Sequence, residues 1–203
     1  MTASTRTPAE VTVSRARPDD VGAADLLFDS ASLEYTRLAG SQRRARDVLG
    51  ALWVQPGHSG SFEFAWVARV DAELAGVLVG FPARRRLRLH AALLRRSLSH
   101  LPVPRWALLL AALARLAWLT PSPPVDSFYV AAIAVAPAYR RRRVASALGD
   151  AVQAYARAAG FAQVAAHTGR LHRVARVALE SHGLRAVAER RGGYVLYLKP
   201  LDG

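Results

Sequence analysis

The stretch best suited to chemistry is Ile133 to Leu148, IAVAPAYRRRRVASAL. An apolar run that reads as a strand enters a tight turn at Ala136-Pro137-Ala138. The turn feeds a helix through Arg140, Arg141, Arg142 and Arg143. The first turn of a helix carries N–H groups without intrahelical partners and lies at the positive end of the helix dipole. Small side chains at Ala145, Ser146 and Ala147, after Val144, let an anion approach that backbone. This is the physics of a phosphate site. The arginines add long-range attraction and guanidinium forks that match phosphate oxygens. An arginine run alone is more often a solvated face, so the assignment rests on the strand-to-helix setting.

The rest of the chain must hold that turn in place. Val11 to Arg15 alternates like a short strand, and Asp19 or Asp20 is placed to cap a helix from Val21 to about Leu38. A second helical pattern covers Ser41 to Trp53, and residues 56–60 form a loop. Phe64 to Val70 and Leu74 to Phe81 read as a hairpin turning at Asp71-Ala72-Glu73. Residues 83–125 look like a helical insertion: Arg84 to Leu98 is basic, Arg105 to Leu119 is almost wholly apolar, and prolines bound both. A helix apolar nearly all round must be buried. Packing on its own domain or a homodimer seam fits it better than an acceptor pocket, because it offers few polar groups.

Phe128 to Val135 is the next strand. Val144 to Ala159 is a helix closed by Gly160, and Gln163 to His167 is a strand. Leu171 to Ser181 is a helix closed by Gly183. Arg185 to Glu189 and Tyr194 to Lys199 are strands joined through Gly192-Gly193. The order of elements predicts a mixed α/β sheet in a single domain over 1–203, not a doubly wound parallel one.

Composition narrows the function. The 203 residues are 52% hydrophobic and include no cysteine, which excludes a disulfide scaffold, a thiolate nucleophile and a cysteine zinc site. No metal-ligand spacing is present. The polar start MTASTRTPAE reads as frayed and lacks the apolar run of a secretory signal, and no apolar run reaches the roughly 20 residues of a membrane span. A cytoplasmic protein is expected. The net charge of +13 invites a nucleic-acid reading, but Lys199 is the only lysine, and an arginine- and alanine-rich composition is what GC-rich coding produces. Bias plus one local phosphate site is the better account.

In this setting the sequence resembles the GNAT superfamily of acyl-CoA N-acyltransferases. The family's phosphate motif, Arg/Gln-x-x-Gly-x-Gly/Ala, is matched by Arg140 to Ala145 at both ends, with Arg143 where glycine is usual. Ile133-Ala134-Val135 resembles the strand end whose backbone pairs with the pantetheine arm. Val70 to Gly76 resembles the central hairpin, and Leu179-Glu180-Ser181-His182-Gly183-Leu184 the late helix end. The resemblance implies a mostly antiparallel sheet flanked by helices. It also implies acetyl-CoA as cosubstrate, held by residues 133–135 and 140–146, with an amine on a small molecule or peptide as acceptor. His172 sits where an asparagine often contacts the cofactor. It either substitutes as a donor or only begins a helix.

Two departures concern catalysis. Leu179 stands where a tyrosine often protonates the leaving thiolate, and Ala131 and Ala132 stand where a glutamate base is usual. Attack by an amine still needs a base or a water chain. His167 at a strand end, Tyr129 on the strand entering the site and Glu34 on the early helices are the remaining candidates, each with an ordinary structural role as the competing account. Asp126, His58 and Glu63 are weaker. An N-acetyltransferase is the first expectation, a non-catalytic CoA-binding module the second and a nucleic-acid-binding protein the third.

Overall fold

The computed structural model describes residues 10–190 and 193–201. The expected frayed start and Gly192 of the last hairpin lie outside them.

A single seven-stranded sheet organises the chain in the order β1-β2-β3-β4-β5-β7-β6. The strands are β1 Val11–Arg15, β2 Ala65–Val70, β3 Glu73–Pro82, β4 Ser127–Val135, β5 Gln163–Gly169, β6 Arg185–Glu189 and β7 Tyr194–Pro200. Neighbours pair antiparallel except β4 and β5, which are parallel. The helices are α1 Gly22–Ser30, α2 Ser32–Ala39, α3 Gln42–Trp53, α4 Arg86–His100, α5 Trp106–Leu119, α6 Val144–Ala158 and α7 Arg173–Ser181. The parallel pair needs a crossover, and α6 supplies it.

The helices cover both faces of the sheet. On one face Ala23, Ala24 and Leu27 of α1, Trp53 of α3 and Leu89 of α4 bury against Val67, Val77, Val79, Phe81, Tyr129 and Ala165. On the other face Val144, Leu148, Val152 and Ala156 of α6 bury against Ala68, Leu78, Phe128, Val164 and Ala166. The alternation of partners along β3 and β5, and along β4 as far as Val130, follows from the two-residue period of a strand. Gly76 sets the seat of α6. A Cβ there would lie 2.8 Å from Val144 Cγ1 and 3.1 Å from the Ala134 carbonyl oxygen.

The structure departs from three sequence expectations. The first helix breaks at Ala31, with φ −143° and ψ 41°, so α1 and α2 are separate. Neither Asp19 nor Asp20 caps α1, which has no side-chain cap. Asp20 instead accepts from the Arg17 N–H at 2.8 Å and pairs with Arg69 of β2. Burial of α5 is one-sided. Leu109 is buried, and Leu113 packs on a cluster with Phe28 and Ala45, but Trp118 is 77% exposed. Packing on the domain therefore accounts for only one face of the insertion. Among the described residues no helix is long and apolar enough to cross a membrane.

Candidate active site

The sheet is split at its centre. The β4–β5 ladder runs only from Ser127↔Gln163 to Val130↔Ala166, although β4 continues to Val135 and β5 to Gly169. Beyond the last pair β4 follows β3 and β5 follows β7. The parting begins at a bulge. The β3–β4 register steps from Val79↔Ala132 to Gly80↔Val130, which leaves Ala131 as the extra residue.

The split leaves backbone groups of β4 without a neighbouring strand. The Ala136 N–H donates to the Ala75 carbonyl at 2.9 Å. Strand residues alternate the side to which their N–H and C=O point, so Ala134 also faces β3. Ile133 and Val135 therefore face the opening. The cleft between the strands holds about 220 Å³ and is lined by Val135, Ala145, Gly149, Ala166, His167 and Leu179 among others. That is below the roughly 300 Å³ of ordinary small-molecule pockets, so it suits a slender chain.

At the end of β4 the chain makes a short 3₁₀ turn, Pro137–Tyr139, and then passes through the arginines into α6. Arg141 and Arg143 are left-handed, with φ 62° and 61°. A left-handed residue followed by a right-handed one turns successive N–H groups toward a common point, where an anion fits. The Ala147 N–H donates to the Arg143 carbonyl at 2.9 Å, so the N–H groups of the first turn ahead of it are the orphan donors of a helix start. Arg140 to Arg143 are all exposed. Tyr139 donates to the Glu73 carboxylate and lies under the Arg142 guanidinium, 5.6 Å from the ring centroid. These contacts tie the turn to the β2–β3 hairpin. Small Ala145, half-buried Ser146 and the donor array together fit a pyrophosphate, and the cleft beside them fits its attached arm.

His167 and Tyr129 meet on the opposite face from α6. The His167 Nδ1 is 3.3 Å from Tyr129 Oη, and the rings are 5.5 Å apart. Burial pushes His167 down to about 4, helped by the Arg86 charge and partly opposed by the Pro121 carbonyl. Its Nε2 is buried without a hydrogen bond of proper geometry. Burial pushes Tyr129 up to about 12 against the pull of Arg86. At neutral pH both are uncharged.

The other candidates scatter. Glu34 is exposed on α2 and has no hydrogen bond or ion pair among the described residues. His172 is exposed at the start of α7, where its N–H bonds to the Gly169 carbonyl at 2.9 Å. Asp126 accepts from Gln163 Nε2 at 3.1 Å and ties the starts of β4 and β5 together. Glu63 accepts from the Gly57 N–H at 2.6 Å, a loop role, and His58 is buried with Nδ1 accepting from the Gly60 N–H at 3.2 Å. Leu179 lines the cleft, with no hydroxyl to offer.

Two groups had no sequence signal of their own. Arg86 and His90 of α4 reach the Tyr129 side of the split. The Arg86 guanidinium is 6.0 Å from the Tyr129 ring centroid, and His90 packs edge-on against Phe81 at 5.7 Å. The basic composition of α4 was legible, but the approach of these residues to β3 and β4 is tertiary. No group of three or more histidine, aspartate or glutamate residues could hold a metal ion among the described residues.

The sheet thus parts between its two parallel strands, and the crossover helix starts with orphan N–H donors beside the parting. The comparisons give the family. The acetyltransferase (GNAT) family model matches residues 27–184, and the chain belongs to that family. A solved acetyltransferase structure superposes with a TM-score of 0.70 at 18% identity, covering 94% of this chain and 100% of that one. An N-acetyltransferase from Staphylococcus aureus Mu50 superposes at 0.64 with 16% identity, covering 93% and 100%. The ribosomal-protein-S18-alanine N-acetyltransferase from Escherichia coli superposes at 0.50 with 12% identity, covering 96% of each. At these identities the likeness is one of fold. None of the curated proteins matches the chain.

Proposed function

We propose that the chain is an acetyl-CoA-dependent N-acetyltransferase in which an amine attacks the thioester directly. The observation that carries this reading is the opening of the β4–β5 split beside the orphan N–H groups at the start of α6. Residues 140–146 hold the pyrophosphate through backbone N–H groups, with the exposed guanidinium groups adding charge attraction. Ile133 and Val135 pair with the pantetheine arm, and the Val135 N–H polarises the reacting carbonyl as an oxyanion donor. Acetyl-CoA supplies the activated acetyl group. The nitrogen lone pair forms the N–C bond, the C–S bond breaks, and the sulfur leaves with its electron pair.

The chain's own groups handle the protons. Nε2 of His167 is buried, so the ring acts through the Tyr129 hydroxyl, 3.3 Å from Nδ1. A base lowered to about 4 is weak. It takes the proton from the attacking nitrogen only once bond formation has made that nitrogen acidic. Leu179 cannot protonate the thiolate. Tyr129, which keeps its proton at neutral pH, is the hydroxyl of this site that can.

Calorimetry with CoA and acetyl transfer to a panel of amines, run on one sample, tests the reading. Binding with turnover supports it. Binding without turnover selects the second reading, a non-catalytic CoA-binding module, which Leu179, Ala131 and Ala132 favour. Absence of CoA binding removes both.

A further inference from the structure

The acceptor side of the split carries a cation without a counter-ion. Arg86, the first residue of α4, is partly buried and makes no hydrogen bond or ion pair among the described residues. Arg84, Arg88 and Arg95 are likewise without a hydrogen bond or ion pair among the described residues, but they are exposed, and the other arginines nearby have contacts. Arg96 donates to the Pro56 carbonyl, Arg105 donates to the Arg37 carbonyl at 2.9 Å, and Arg85 lies 5.3 Å from the Phe64 ring centroid. Arg86 has only the Tyr129 ring at 6.0 Å, the outer limit of a cation–π contact.

No acidic residue lies between Glu73 and Asp126, so the insertion offers Arg86 no partner. Glu63, in the turn before β2, is held by the Gly57 N–H. The groups around Arg86 are neutral. His90, pushed down to about 4 chiefly by burial, shares a hydrogen bond between Nδ1 and Ser59 Oγ at 2.8 Å. Tyr129 and His167 are uncharged for the reasons given above. A half-buried guanidinium in such surroundings has lost part of its water without gaining an anion, which costs free energy unless a ligand supplies one.

We propose that the acceptor is an amine that also carries an acidic group, carboxylate or phosphate, and that Arg86 pairs with that group while the amine faces His167. This rests on the acyl-transfer reading. It also fits the basic composition, which repels polycationic amines and attracts acidic ones. The planar fork of Arg86 favours two-point contact with an oxyanion, which lysine cannot reproduce.

The test measures binding as well as turnover. CoA-loaded protein is titrated with glycine, β-alanine and 4-aminobutyrate, each against its amide, and with 2-aminoethylphosphonate. The same compounds are assayed with acetyl-CoA. Charge-assisted hydrogen bonds contribute about 1.5–3 kcal/mol, so an acid should bind about 10- to 100-fold more tightly than its amide. Preference for the phosphonate over the carboxylates assigns the anion as phosphate, and the reverse assigns it as carboxylate. Arg86→Gln should collapse the preference to near unity, and Arg86→Lys should retain part of it. Unchanged CoA affinity reports that the variants fold. Equal binding of acids and amides, or an Arg86→Gln variant that keeps the preference, overturns the assignment. Acid-selective binding without turnover leaves Arg86 assigned and sinks only acyl transfer.

Discussion

Arg143 occupies a left-handed position, with φ 61° and ψ 12°, immediately before α6. An L-residue there is strained by about 1–2 kcal/mol through contact of Cβ with the following carbonyl. Glycine removes that strain but costs roughly 0.5–1 kcal/mol in unfolded-chain entropy. Arg143→Gly should therefore stabilise the protein by about 0.5–1 kcal/mol. For a domain of this size that is a rise in Tm of roughly 1–4 °C. Arg143→Ala keeps the Cβ and should show no gain. The two variants lose the same charge, so their difference isolates the backbone.

The effect on the cofactor follows from the same geometry. If the backbone N–H of residue 143 meets the pyrophosphate, both variants retain that contact. What they lose is one exposed guanidinium among the arginines at 140–143, worth about 0.2–1 kcal/mol. Affinity for acetyl-CoA should then fall less than about 5-fold, and the loss should shrink as salt is raised. Thermal unfolding and calorimetry at two salt concentrations measure both quantities. A destabilised Arg143→Gly, or binding lost by more than about 100-fold at any salt, would refute the reasoning. It would mean that the side chain, not the turn, is the contact.

Two further predictions concern the seat of α6 and the histidine. Gly76→Val places a Cβ 2.8 Å from Val144 Cγ1 and should destabilise by about 1–3 kcal/mol while weakening acetyl-CoA binding, as unfolding and calorimetry will report. His167→Gln should lower kcat by about 10²- to 10⁴-fold with acetyl-CoA affinity unchanged. The pH dependence carries a sign. A histidine lowered to about 4 in the folded state binds protons more readily when unfolded, so stability is complete above the ordinary value near 6.5 and is lost as pH falls toward 4. Acid unfolding of His167→Gln should be shallower in that window, and kcat of the wild type should show no inflection near 6.5.

The parts of the fold legible in the sequence were those fixed by local pattern. Val11 to Arg15, the hairpin around Asp71 and Ala72, and α6 with Gly160 behind it all follow from periodicity and turn chemistry. The break at Ala31 was not legible, because Ser30-Ala31-Ser32 carries no breaker, and both halves pack on α3, a tertiary arrangement. The role of Asp20 was missed for a similar reason: its partner Arg69 is far away in sequence. The strand, turn and helix start at residues 133–148 were legible because they are built from consecutive residues. The acceptor end joins α4, β3, β4 and β5, and only the folded chain brings Arg86, His90, Phe81, Tyr129 and His167 together.

The alanines at 131 and 132 gain a meaning from this arrangement. They stand where the family often carries a glutamate, on the same strand as Tyr129 and packed against the same core. A carboxylate there would lie beside the apolar end of the split and compete for Arg86. Its absence removes one base but leaves the cation free, and a neutral histidine does not compete for it. The same chain thus loses a base and gains an anion site. Ala131→Glu tests the trade directly. The variant should bring the preference for acidic acceptors over their amides from about 10- to 100-fold toward unity, by pairing Arg86 internally. Ala131 also lines the cleft beside α6, so the preference is read at saturating CoA to keep any loss of cofactor affinity separate. An Ala131→Glu variant that keeps the full preference would show that Arg86 does not reach the bulge, and the link between the missing base and the free cation would fall.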